Sequence, residues 1–267
     1  MADLAAIKQR QQATWSSGDF AAVATGFTIV GELLCEAVDL RPGWRVLDVA
    51  TGSGNTALAA ARRFCEVTGV DYVPALLERG RERAAAERLS VEFREGDAEA
   101  IPFGDGSFDA VLSTFGTMFA PDQGQVAREL LRVCRPGGII GMANWTPGGL
   151  AGQIFRVTAR HVPPPPGLEP PVTWGTEARL RELFGDAIRA LHVTPRIATF
   201  RYRSPEDWLE FFRSYYGPTL KAFEALDTTG QEALAHDLLE LMRRHNRSGG
   251  EELIAPSEYL EVVATTA

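Results

Sequence analysis

The sequence predicts an α/β fold: a doubly wound, mostly parallel, Rossmann-like sheet of seven strands, with a helical N-terminal segment and C-terminal cap insertions. Three observations carry this. Five short apolar runs between Trp44 and Trp145 have the length and unbroken hydrophobicity of strands buried on both faces. Helical periodicity fills most of the gaps between them, as parallel crossovers require. The first run ends in a glycine turn, Thr51-Gly52-Ser53-Gly54, of the kind that joins a strand to a helix in such sheets.

Leu4 and Ile7 open a first helical pattern, and Trp15-Ser-Ser-Gly-Asp19 breaks it with a new N-cap before Phe20. A second amphipathic stretch runs through Val30, Leu33 and Leu34 to Val38 and ends at Arg41-Pro42-Gly43. Trp44–Ala50 is the first strand, followed by an alanine-rich helix over Asn55–Arg63. Cys65–Asp71 is the second strand, and Pro74 stands in the first turn of the next helix. Strands follow at Ser90–Arg94 and Phe108–Thr114. A helix over Gln125–Val133 is stopped by Arg135-Pro136-Gly137-Gly138, before a fifth strand at Ile139–Trp145.

From Thr146 the pattern loosens. Pro163–Pro166 is a stiff connector, Thr176–Phe184 a short helix, and His192–Arg203 contains a strand-like alternation. Ser204-Pro205-Glu206-Asp207 supplies an N-cap, a proline at the first helical position and acids in the first turn, opening helices through Arg244. Glu258–Thr265 is strand-like and rejoins the sheet. The chain thus divides into an N-terminal helical lid (1–40), a cofactor-binding α/β core (41–146), and substrate cap helices plus the last strands (147–267).

The 35 acidic and 27 basic side chains leave a net charge of −8, a sign that repels polyphosphate and anionic membranes. Neither nucleic acid nor membrane is expected as a partner. No apolar run approaches the roughly 20 residues that span a bilayer, and the start, MADLAAIKQRQQATW, lacks the apolar stretch of a secretory signal. Cys35, Cys65 and Cys134 are too scattered for a disulfide framework or a zinc site, and they fit a reducing cytoplasm. No metal is expected, since Asp122 is the only carboxylate soon after the fourth strand.

The glycine turn narrows the ligand. Gly52 and Gly54 bring backbone N–H groups close to whatever lies at the helix N-terminus. Asp71 ends the second strand nineteen residues after Gly52, where an acid can accept from ribose hydroxyls. Gly52-x-Gly54-x-x-Ala57 also satisfies the fingerprint of a nicotinamide-dependent oxidoreductase, which stands as an alternative. Asp48 argues against it. Four residues before Gly52, it would set a like charge beside a pyrophosphate, whereas S-adenosylmethionine brings an ammonium, a sulfonium and no phosphate. Asp97, after the third strand, lies at the same carboxyl edge and can accept from an exocyclic adenine amine.

Asp48 to Gly54 resembles the nucleotide-binding motif of class I S-adenosylmethionine-dependent methyltransferases, and GDAEAIPF (96–103), SFDAVLSTFG (107–116) and ELLRVCRPGGIIGMANW (129–145) resemble their later motifs. The nearest subgroup it resembles is the ubiquinone/menaquinone-biosynthesis type. The likeness covers about residues 40–146. It implies backbone contacts from Thr51, Gly52, Ser53 and Gly54 to the methionine part of the cofactor. It further implies that Asp71 holds the ribose, Tyr72 flanks the adenine, Asp97 and Ala98 read the adenine edge, and Ser113 lies near the amino group. The function implied is in-line transfer of a methyl group to a small molecule, leaving S-adenosylhomocysteine.

Position nominates an apolar acceptor pocket: Trp15 on the N-terminal segment; Phe115, Met118 and Phe119 after the fourth strand; Asn144 and Trp145 ending the fifth; Trp174 beyond the prolines; and Tyr215 and Tyr216 on the later helices. No catalytic base is named. Of His161, His192, His236 and His245, His161 precedes the proline run and could approach the cofactor mouth, but a surface histidine at a helix end explains it better than a catalytic group. A cofactor-binding regulator without catalysis is the third reading, motivated by that missing base. The identity of the acceptor and the atom methylated are not encoded in these motifs.

Overall fold

In the computed structural model, which describes residues 3–267, the apolar runs become strands β1 (Arg45–Val49), β2 (Glu66–Asp71), β3 (Val91–Glu95), β4 (Phe108–Thr114), β5 (Cys134–Trp145), β6 (Ile188–Tyr202) and β7 (Leu253–Thr266). They form one mixed sheet in the order β3-β2-β1-β4-β5-β7-β6. β1 to β5 pair in parallel, while β7 runs antiparallel to both β5 and β6. The chain winds outward from β1 to β3 and returns to start again at β4, so the carboxyl ends of β1 and β4 diverge. Open α/β sheets bind ligands at such a switch point.

Helices cover both faces. On one, α3 (Thr28–Val38), α4 (Asn55–Arg62) and α5 (Pro74–Glu87) contribute Leu34, Leu58 and Leu77 to one core cluster with Leu112. On the other, α6 (Gln123–Val133) sets Val126 and Leu130 against Ile140 and Met142. The caps follow the sequence cues: the Asp19 carboxylate accepts from the Ala21 N–H, Pro74 opens α5, and Ser204 Oγ accepts from the Asp207 N–H. Asp122, the acid considered as a metal ligand, is the N-cap of α6.

Three sequence expectations change. β5 begins at Cys134 rather than Ile139: Arg135–Gly138 stays in the ladder as an irregularity, the register passing from Phe108↔Cys134 to Ala110↔Ile139, with Gly137 at φ 69 taking up the bend. Phe20–Val38 is a 19-residue helical stretch of mean hydropathy 1.6, so one segment does reach the length and apolarity of a bilayer span. Its backbone is interrupted by a 3-10 turn at Thr25–Phe27 between α2 (Phe20–Ala24) and α3, and Val30, Leu34, Cys35 and Val38 are buried in the core. The last two strands are also longer than the alternation suggested. β6 and β7 continue pairing for six residues beyond the last β5 pair, Trp145↔Tyr259, and rise about 20 Å above the carboxyl edge.

The remaining helices are α1 (Leu4–Trp15), α7 (Leu150–His161), α8 (Glu177–Phe184), α9 (Pro205–Tyr215), α10 (Gly217–Glu224) and α11 (Thr228–His245). α3 belongs to the layer covering the sheet, whereas α1 and α2 lie over its carboxyl edge, with α9 beside them.

Candidate active site

The turn after β1 is built by backbone conformations that side chains resist. Ala50, Gly52 and Gly54 have φ values of 54, 56 and 85, and a Cβ on Gly54 would stand 2.8 Å from the Phe93 ring. Two buried acids hold the turn. Asp48 Oδ2 accepts from Thr51 Oγ1 at 2.5 Å and from the Ala57 N–H at 3.0 Å. Asp71 accepts from the Gly52 N–H through one oxygen and from the Val73 N–H through the other, each at 2.9 Å. Burial raises both carboxyls against these stabilising bonds, Asp48 to about 7 and Asp71 to about 6.

Above the turn opens a cavity of about 1350 Å³, its mouth included. One half is lined by Asp48, Thr51, Gly52, Ser53, Asp71, Tyr72, Asp97 and Ala98, the other by Trp15, Phe115, Phe119, Trp145 and Tyr216. Thirteen of the nominated residues therefore meet around one space. Gly54 and Ser113 lie just beneath its wall: Ser113 Oγ donates to the Val49 carbonyl at 2.9 Å and accepts from the Thr117 N–H at 3.2 Å, tying β4 to β1.

Four of the nine residues nominated for the acceptor pocket do not line it. Met118 is sealed in the core, and Asn144 points to the opposite face of β5 from Trp145, as strand alternation requires. Trp174 is fully buried against Phe184, and Tyr215 turns outward, 40% exposed, while its neighbour Tyr216 turns in. Their places are taken by Phe20, Phe27, Ile154, Phe155, Phe200 and Phe212. Phe200 reaches the cavity because the β6–β7 pair overshoots the sheet.

The apolar half is a continuous aromatic wall. Phe115 stacks on Trp145 at 3.8 Å with a 2° interplanar angle, and Trp15 meets Phe20, Phe119 and Tyr216 edge-on at 5.0–5.7 Å. Phe115 has a φ of 60, so its backbone is strained in order to present the ring. Two polar atoms of cavity-lining residues are buried without a partner, Asn55 Oδ1 and Thr117 Oγ1. The Asn55 amide cannot be turned over, because its Nδ2 donates to the Ala24 carbonyl at 2.8 Å. Its oxygen is thereby left as an unpaired acceptor.

No histidine lines the cavity; His161 instead pairs with Asp237 at 2.9 Å on α11. Among the described residues, no group of three or more histidine, cysteine, aspartate or glutamate side chains is placed to hold a metal ion.

Residues 46–138 match the family described as Methyltransferase domain. The uncharacterized protein Rv1405c of Mycobacterium tuberculosis is 37% identical over 258 residues, covering 95% of this chain and 93% of that one. Demethylmenaquinone methyltransferase of Deinococcus radiodurans is 37% identical over 163 residues, 54% of this chain and 67% of the relative. The crystal structure of the YcgJ protein from Bacillus subtilis superposes with a TM-score of 0.62 over 88% of this chain and 96% of its own, at 19% identity, a likeness of fold.

The chain belongs to the S-adenosylmethionine-dependent methyltransferases. The polar half of its cavity fits that cofactor. Carboxylates and an orphan amide oxygen can accept from ammonium, ribose and adenine donors, and among the described residues Lys8 is the only cationic side chain lining the wall. A dinucleotide would set its pyrophosphate against Asp48, so the nicotinamide reading falls with the family assignment. Lys8, Asn55 and Phe200 line the cavity from outside the residues its sequence motifs nominate. Only Lys8 left a signal, since Lys8, Gln12 and Trp15 share one helical face at i, i+4 and i+7.

Proposed function

We propose that this methyltransferase transfers a methyl group to a small, flat, apolar acceptor held against the Phe115–Trp145 stack. One observation carries the reading: every carboxylate lining the cavity (Asp48, Asp71, Asp97 and Glu99) stands on the nucleoside side, leaving Tyr216 as the one ionisable side chain in the aromatic half. A charged acceptor would be desolvated there without a counter-ion. The Deinococcus relative is named for demethylmenaquinone, and an acceptor of that kind fits the same wall.

In this reading Asp71 takes the ribose hydroxyls, Tyr72 flanks the adenine, and Asp97 with the Ala98 N–H reads its edge. Thr51 to Gly54 hold the methionine part by backbone, Ser113 keeps the end of β4 beside it, and Asn55 Oδ1 and Asp48 receive the ammonium. When bound, the cofactor supplies a methyl group already activated by sulfonium charge. The chain's contribution is to align the acceptor and exclude water, and the aromatic wall does both. Burial raises the Tyr216 hydroxyl far above neutral pH, so it donates a hydrogen bond rather than accepting a proton. α1 and α2 act as the lid, and the elements after Thr146 complete the acceptor wall. Three free, buried cysteines support a reducing cytoplasm as its location.

The test is methyl transfer from labelled S-adenosylmethionine into a cell extract that is then partitioned. Label in organic-soluble small molecules is expected; label confined to nucleic acid, protein or water-soluble ions would overturn the acceptor class.

A further inference from the structure

The residues that close the nucleoside side of the cavity come from α1, and their contacts are polar. Lys8 Nζ lies 2.6 Å from Asp97 Oδ2 and 2.5 Å from Glu99 Oε2, and Gln12 Nε2 donates to the Tyr72 carbonyl at 2.6 Å. Trp15, one turn further on the same face, enters the aromatic half. α1 therefore touches both halves at once. Ile7 is its only buried residue, so little apolar burial holds it down.

The two ends of α1 are fixed differently. Past its C-terminus the backbone is pinned: Gly18 forms a bridge with Tyr216, the Asp19 N–H donates to the Tyr215 carbonyl at 3.0 Å, and Gly18 turns the chain at φ 70. Toward the N-terminus the side-chain attachments across the cavity are those of Lys8 and Gln12. A helix hinged at one end and latched at the other by an ammonium can swing clear of the cavity when the latch opens.

We infer that Lys8 is a positioning residue for the cofactor, latching α1 over the adenosine through two interchangeable acceptors. The inference rests on the assignment of Asp97 to the adenine edge. An arriving adenine amine needs a lone pair on the carboxylate that Lys8 holds. Glu99, 90% buried and within reach of the same ammonium, keeps Lys8 in place while Asp97 turns to the nucleoside. Desolvation works against the Lys8 charge, but the two carboxylates outweigh it and keep the group protonated. Occupancy of the nucleoside side thereby sets Trp15 in the acceptor wall, so the acceptor pocket is completed by the closed lid.

The experiment pairs hydrogen exchange of residues 4–15 with calorimetric binding of S-adenosylhomocysteine to the full chain and to Lys8→Ala and Lys8→Arg. In the wild type the product should slow exchange across α1. Lys8→Ala should abolish that slowing and weaken binding about tenfold, through faster dissociation, with a smaller dependence on salt. Lys8→Arg should restore most of both. Equal or tighter binding by Lys8→Ala would show that Lys8 merely competes with adenine for Asp97, and exchange in α1 that ignores the ligand would overturn the latch. Failure of the wild type to bind the product at all would instead sink the cofactor assignment beneath it.

Discussion

Asp48→Asn separates what the fold tolerates from what the cofactor requires. One oxygen of Asp48 already takes both protein hydrogen bonds, from Thr51 and Ala57, so the amide oxygen of asparagine can inherit them without rearrangement. What changes is the charge. Burial lifts this carboxyl from 3.8 to about 7, so between those values the folded chain binds a proton that the unfolded chain has released. Stability therefore falls as pH rises through the window, and the whole cost is present above pH 7. At about 1.4 kcal/mol per pH unit it reaches about 4 kcal/mol at pH 8, against about 2 kcal/mol at pH 5.

Asparagine carries no such cost. Thermal unfolding of the ligand-free proteins should show Asp48→Asn more stable, by a margin that widens between pH 5 and pH 8 by about 2–3 kcal/mol, or roughly 5–10 °C in Tm. All other titrating groups save Asp71, which repels Asp48, largely cancel in the comparison. The same variant should bind S-adenosylmethionine about tenfold or more weakly at pH 8, having lost a carboxylate facing a cation. A margin that stays constant with pH, or undiminished cofactor affinity, would refute the argument that Asp48 is a buried charge held for its ligand.

Asn55→Ala should weaken S-adenosylhomocysteine about tenfold while leaving 5′-methylthioadenosine unchanged, because the orphan oxygen serves an ammonium that the smaller nucleoside lacks; equal losses for both would mean a structural role. Calorimetry across pH should find product affinity falling below about pH 6, where Asp71 takes up the proton that competes with ribose donors, and flat above it with respect to this group. Gly116→Ala sets a Cβ 2.5 Å from the Ala50 Cβ and 2.7 Å from the Ala50 carbonyl, so it should cost about 1–3 kcal/mol in denaturant titration and disturb the glycine turn; an unchanged midpoint would mean that the two strand ends move freely.

The fold and the polar half of the cavity were readable because their determinants are contiguous. Asp48, Thr51, Gly52 and Ser53 lie on a single strand–turn–helix unit, so once the unit is recognised their relative positions follow from backbone geometry. Asp71 and Asp97 add one strand end each, and a parallel sheet brings successive carboxyl ends to the same edge. The misplaced strand boundaries have equally local causes. Pro136 and Gly137 look like a helix stop and serve instead as a bulge inside β5, since a glycine at positive φ suits either.

The aromatic half resisted the same reasoning because its walls converge from segments far apart in sequence. Trp15, Phe115, Trp145, Phe200 and Tyr216 come from α1, the end of β4, the end of β5, β6 and the start of α10, and no period or spacing connects them. Whether such a residue faces the cavity depends on details a sequence does not display. Tyr215 and Tyr216 are adjacent and one of them is inside; Asn144 and Trp145 are adjacent and one of them is inside. Position within a motif could nominate both members of each pair, but only the pleat of β5 and the end of α9 choose between them. In the proposed reading, substrate selection rests on tertiary choices made at single-residue resolution, while cofactor binding rests largely on one strand–turn–helix unit and the neighbouring strand ends. A chain can therefore keep the second unchanged as it varies the first.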